Sequence, residues 1–165
     1  MTHRRILIAL LATMLCDTAL AQTASTAQLP DFAKTPAQLA AIAPTGGVGG
    51  SGNPKVQVVN ILGDPSKPGP YAQLLRVGPH ASIAAHHHAG DRFGTVLKGT
   101  WRLGYGPKFD KAQLHVLPVG SVYTEPAGGP HFAMTENEPV VVLITGVGPT
   151  DTVYENPADD PTAKQ

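Results

Sequence analysis

Cysteine is almost missing from this chain. The one thiol, Cys16, falls in an N-terminal stretch that reads as a removable export signal, so the mature protein is expected to have none. That excludes disulfide staples, a thiol nucleophile and a metal site built on sulfur. Net charge is missing too, since 12 Lys+Arg balance 12 Asp+Glu. Nucleic-acid binders carry a strong basic excess, and no run of like charge suggests attachment to an anionic membrane surface. No apolar run reaches the ~20 residues that a membrane-spanning helix needs. The longest, Ile6 to Leu15, is soon followed by Asp17.

The start of the chain has the three parts of a signal peptide. Met1-Thr-His-Arg-Arg5 is a basic n-region, Ile6 to Leu15 is apolar, and Ala19-Leu20-Ala21 fits the small-x-small rule for cleavage before Gln22. Leu15 before Cys16 argues against lipid attachment, which wants a small residue there. Arg4-Arg5 also has a weak likeness to a twin-arginine signal, so the general secretory and twin-arginine routes both stay open. The expected location is exported: periplasmic in a Gram-negative cell, secreted otherwise.

Glycine and proline are plentiful, at 18 and 16, which suits many short strands and turns better than a helix bundle. A length of 165 residues suggests one folded domain. The expected organisation is a signal peptide over 1–21, a leader over 22–55, a barrel over 56–155 and an irregular tail over 156–165. In the leader, Thr35-Pro36 followed by Ala37 to Ala43 predicts a short capped helix stopped by Pro44. Gly46 to Gly52 reads as a flexible loop, because no Lys-Ser/Thr follows it to make a phosphate loop. From Val56 onward the pattern predicts strands over 56–62, 71–77, 93–98, 100–105, 112–117, 121–125, 131–135, 140–145 and 152–154. Gly- and Pro-rich turns separate them, which means an all-β sandwich or barrel.

The chemistry centres on His86-His87-His88. In extended backbone residues i and i+2 share a face, so His86 and His88 point one way and His87 the other. Two neutral imidazoles can bite one divalent ion (Fe, Zn, Mn, Ni or Cu). Two ligands make a weak site, and a third must come from elsewhere. His80 reads as a turn residue and His115 as solvated, while Gln73 and Tyr123 are candidates for a cavity wall.

Two further stretches carry a resemblance. Gly78…His86-x-His88…Gly99 resembles the first cupin motif, with a longer spacer before His86. Gly120-x5-Pro126-x-Gly128-x2-His131 resembles the second at every spacing, with Thr135 where its longer form has Asn. The resemblance covers roughly 56–155, and the closing stretch, Gly146 to Pro161, looks like a branch of small single-domain bacterial cupins. It implies an all-β jelly-roll barrel, the double-stranded β-helix, with a short N-terminal helix, and a metal ion held by His86, His88 and His131. Counting back from Gly99 by the family spacing, the usual Glu ligand is replaced by Arg92. The site is therefore expected to be three-His, or three-His with Asp91 or Glu125 recruited. Arg92 either clamps a substrate carboxylate through its planar fork or pairs with Glu125 or Asp91. Arg92 and Glu125 are the candidate catalytic side chains.

Cupins include dioxygenases, isomerases, lyases, storage proteins and sugar-binding sensors, so the fold does not select the reaction. The expected function is a metal-dependent enzyme, dioxygenase-like or of lyase or isomerase type, acting on a small anionic organic molecule. The alternative is a non-catalytic module that binds a small molecule or the metal. Exposed edge strands give such a barrel a reason to form a homodimer.

Overall fold

Short runs of Val, Ile, Leu and aromatics, each closed by Gly or Pro, favour strands joined by tight turns. The computed structural model describes residues 29–46 and 49–164. The signal segment 1–21 and the first part of the leader lie outside the described residues. The strands are β1 (Val56–Leu62), β2 (Gly69–Val77), β3 (Ser82–His87), β4 (Arg92–Lys98), β5 (Trp101–Tyr105), β6 (His115–Leu117), β7 (Val122–Glu125), β8 (His131–Met134), β9 (Val140–Gly148) and β10 (Val153–Tyr154). They form two five-stranded antiparallel sheets, ordered β1-β2-β9-β4-β7 and β10-β3-β8-β5-β6. This is the all-β jelly roll expected from the sequence. No helix among the described residues is long and apolar enough to cross a membrane.

The inner faces of the sheets meet over Val58, Leu75, Val96, Trp101, Leu103, Val142 and Ile144. Alternation along β4 and β7 shows how strand period sorts the side chains. Arg92, Gly94 and Val96 are buried while Phe93 and Leu97 are exposed; Tyr123 and Glu125 are buried while Val122 and Thr124 are exposed. Gly94 is opposite Tyr123 in the ladder, and a Cβ there would lie 2.2 Å from the tyrosine ring. Glycine at that point makes room for the ring inside the barrel.

Four local expectations need correction. The helix, α1, spans Pro36–Ala40 and stops short of Ala43. Its Thr35–Gln38 capping box is complete, but none of its residues is buried, so little packing favours extending it. Its Leu39 carbonyl accepts from Arg76 on β2. Secondly, the expected strands leave 78–92 unassigned, whereas His86 and His87 end a strand of their own, β3. Thirdly, the 112–117 run is a 3₁₀ turn, Lys111–Gln113, followed by only three strand residues, with Asp110 capping the turn. Fourthly, β9 continues through Gly146 to Gly148. These glycines sit where the Tyr71 ring and the Lys67 carbonyl approach too closely for a side chain.

The glycine run 46–52 is not loose at its second half. Ser51 is buried, and the carbonyls of Gly49, Gly50 and Ser51 accept from Arg92 Nη1, Thr152 Oγ1 and Tyr154 Oη respectively. These bonds lay the strap across the end of the barrel that carries the histidines.

Candidate metal centre

One end of the inter-sheet space is polar. His86, His88, Arg92, Glu125 and His131 are all buried there, with Gln73, whose Nε2 donates to Asn60. The topology brings them together from distant parts of the chain. His86 is the penultimate residue of β3 and pairs in register with His131 at the start of β8 and with Tyr154 on β10. His88 follows β3 directly. Arg92 opens β4 and Glu125 closes β7, and the two are register partners.

The three imidazoles converge. Their ring centroids are 4.4 Å apart for His86–His131, 5.1 Å for His86–His88 and 5.2 Å for His88–His131. One nitrogen from each lies within 4.8 Å of the others. The remaining nitrogens decide the tautomers. His86 Nδ1 is 2.8 Å from the Ala84 carbonyl, His131 Nδ1 is 3.1 Å from the Gly129 carbonyl, and His88 Nδ1 contacts the Asp151 carbonyl. A carbonyl only accepts, so each Nδ1 must carry a hydrogen, and in a neutral ring Nε2 then holds the lone pair. Arg92 Nη1, 3.3 Å from His88 Nδ1, is then a second donor beside it, and its own bond goes to the Gly49 carbonyl at 2.8 Å.

Electrostatics favour neutral rings. Burial, then the neighbouring His131, lowers the pKa of His86 to about 4. Burial, then Arg92, lowers that of His88 to about 3. For Glu125 burial pushes the other way, but Arg92 and the three imidazoles outweigh it and bring the carboxyl down to about 2. At neutral pH the cluster is therefore two neutral imidazoles at His86 and His88, a carboxylate at Glu125, and the guanidinium of Arg92.

The donor set fits a divalent ion. His88 Nε2, His131 Nε2 and Glu125 Oε2 are buried without a hydrogen-bond partner, and buried polar atoms of this kind call for one. An ion among them would satisfy all three, and neutral imidazole nitrogens suit first-row divalent metals.

The other sequence candidates separate cleanly. Arg92 and Glu125 form an ion pair, with Nε 2.8 Å from Oε2. Asp91 is exposed, and its carboxylate accepts from Ala127 N, away from the cluster. His87 points outward and meets Glu155 at 2.6 Å. His80 sits in a turn at φ 53, and His115 is exposed. Sequence reasoning did not find the Asp151 carbonyl or the Tyr154 contact to the 49–51 strap, and no side-chain motif signals either. A groove of about 690 Å³ reaches the pair, lined by Tyr71, Arg92, Phe93, Glu125, Pro126 and Val147 among others.

No family model and no curated protein matches the chain. Solved structures do. The polyketide cyclase RemF from Streptomyces resistomycificus shares 21% identity over 67% of this chain and 78% of its own, with a TM-score of 0.53. A salicylate 1,2-dioxygenase G106A mutant from Pseudoaminobacter salicylatoxidans shares 14% identity over 60% of this chain and 30% of its own, with a TM-score of 0.50. The DMSP lyase DddQ from Ruegeria pomeroyi DSS-3 shares 16% identity over 57% of this chain and 47% of its own, with a TM-score of 0.47. The match thus spans about half the length of the lyases. These likenesses establish architecture alone, and that architecture is the double-stranded β-helix. It carries the histidine cluster between its sheets.

Proposed function

We propose that the protein is an exported, metal-dependent enzyme of dioxygenase, lyase or isomerase type, acting on a small anionic organic molecule at His86, His88 and His131. The observation that carries this reading is the common orientation of the three rings. Each hydrogen is committed to a backbone carbonyl, so three buried lone pairs face one point. A divalent ion held there supplies a Lewis acid. The imidazoles add no charge, and Arg92 and Glu125 offset one another, so the ion keeps its full positive charge and favours an anionic ligand. The groove beside Arg92 and Glu125 has the size of small-molecule sites, and these two side chains are its buried charged lining. Export rests on the signal-like segment Met1 to Ala21.

Elemental analysis of the purified protein tests the ligand set. About one equivalent of a divalent metal is expected, and His88→Ala should lose it; a full equivalent retained by that variant overturns the assignment. Turnover tests the chemistry. If the Fe(II)-loaded protein consumes no oxygen with a panel of diketones, catechols and hydroxy acids, the dioxygenase branch falls. If it turns over none of them by any route, the non-catalytic binding role takes its place.

A further inference from the structure

We propose that Glu125 is a fourth ligand to the ion, delivered from β7 in place of the carboxylate missing from β4, and that Arg92 is the residue that aims it. The inference rests on the three-histidine reading above. It begins with position. Arg92 stands where the first motif would carry a carboxylate, and its register partner across the β4–β7 ladder is Glu125. The acidic group has moved one strand sideways and still points into the barrel, because both residues fall on the inward phase of their strands.

The distances carry the argument further. Glu125 Oε1 lies 3.6 Å from His131 Nε2, and Oε2 lies 3.6 Å from His88 Nε2. Hydrogen bonds from nitrogen to oxygen are shorter, about 2.7–3.2 Å. In neutral rings both Nε2 atoms bear lone pairs once Nδ1 donates to a carbonyl, so neither can donate to Glu125. Acceptors therefore face acceptors inside a buried site, an arrangement that repels unless a cation lies between them. Ligands bound at about 2.0–2.2 Å in a tetrahedral set are about 3.4 Å apart. The observed 3.6 Å is thus the spacing of neighbouring ligands on one ion.

Arg92 is built to hold that carboxylate. Its Nε sits 2.8 Å from Oε2, yet neither atom completes an aligned hydrogen bond, so the ion pair does not exhaust the carboxylate. Its Nη1 is anchored on the Gly49 carbonyl. Gly49 has φ +84, and a Cβ there would come within 2.9 Å of Gln73 Oε1 and 3.5 Å of Arg92 Nη1, so only glycine lets the strap approach this closely. Arg92 is a positioning residue, since its nitrogens reach protein groups and not the point where the lone pairs converge.

The test uses the full-length purified protein with Zn(II) and Co(II) as probes. Zn(II) affinity is measured by competition with a chromophoric chelator, and the Co(II) ligand field by visible absorption. Glu125→Gln should weaken Zn(II) by roughly tenfold or more, given that even outer-shell partners contribute that much, and should shift the Co(II) bands. Because Glu125→Gln leaves Arg92 buried without its partner, the double variant Arg92→Met/Glu125→Gln is measured alongside and should show the same loss. Arg92→Lys should shift the Co(II) bands, whereas a purely structural role would change thermal stability and leave the spectrum alone. If the glutamine variants keep wild-type Zn(II) affinity and an unchanged Co(II) spectrum while His88→Ala loses metal, the proposal is overturned and the three-histidine site stands. If the wild-type protein itself binds neither ion, the three-histidine reading fails first.

Discussion

Arg92 and Glu125 face each other across the β4–β7 ladder, and their charged ends meet 2.8 Å apart with each residue only 4% exposed. A pair removed this far from water is costly to break from one side, because the survivor is an uncompensated buried charge. In metal-free protein, Arg92→Met should destabilise by about 3–5 kcal/mol, and adding Glu125→Gln should recover a large part of that loss. Urea unfolding of the two single variants and the double gives the coupling directly. Additive effects would mean that the two groups do not sense each other.

Thr135 stands where the longer second motif has Asn, and it is fully buried. Its hydroxyl accepts from Ala81 N at 2.9 Å and donates to the Gly78 carbonyl at 2.7 Å. It therefore ties the chain just after β8 to the turn before β3. Thr135→Val keeps the shape and strands both backbone groups, and a loss of about 1–3 kcal/mol is expected. A thermal midpoint equal to the wild type would contradict that.

Gly104 on β5 is opposite Phe132 on β8, and a Cβ at Gly104 would lie 2.2 Å from the phenylalanine ring. Phe132 is fully buried and its ring lies 5.1 Å from that of Phe109, so it has little room to retreat. Gly104→Ala should therefore destabilise by about 1–3 kcal/mol through overpacking, although alanine normally suits a strand better than glycine. Chemical denaturation measures the difference, and a more stable variant would refute the packing argument.

Acid should unfold the metal-free protein early. His86 and His88 have folded pKa values of about 4 and 3 against an ordinary 6.5. Below 6.5 the unfolded chain takes up protons that the folded chain refuses, so stability falls as pH drops from about 6.5 toward 4. Glu125, lowered to about 2 from 4.5, adds a further loss as pH falls from about 4.5 toward 2. Urea midpoints of chelator-treated protein at pH 7.5, 6.5, 5.5 and 4.5 should decline over the last two steps, and a flat series would contradict the neutral-histidine assignment.

Much of this was legible in the residues. Strands such as Val56–Leu62 are mostly β-branched and aliphatic, and the structure reproduces that one at both ends. His86, His88 and His131 are brought together, as their motifs imply. What escaped depends on long-range register. β3 is Ser-Ile-Ala-Ala-His-His, with one β-branched residue to announce it. Its Ala85, and Ala81 just before it, are small and buried. Choosing between Asp91 and Glu125 as the partner of Arg92 needs the β4–β7 register, which spans an intervening hairpin. The strap from Gly49 to Ser51 looks like a linker because its bonds come from Thr152 and Tyr154, about a hundred residues later.

The three carbonyls that receive the imidazole hydrogens have one more consequence. They belong to Ala84, Gly129 and Asp151, and any amino acid at those positions still presents a carbonyl. The aim of the three rings is thus set by backbone groups, although the Asp151 side chain also accepts from Ala89 N and a Cβ at Gly129 would lie 3.0 Å from the Pro126 carbonyl. A change in the neighbouring charged pair leaves these three carbonyl contacts untouched, so the imidazole tripod stays trained on the same point in space.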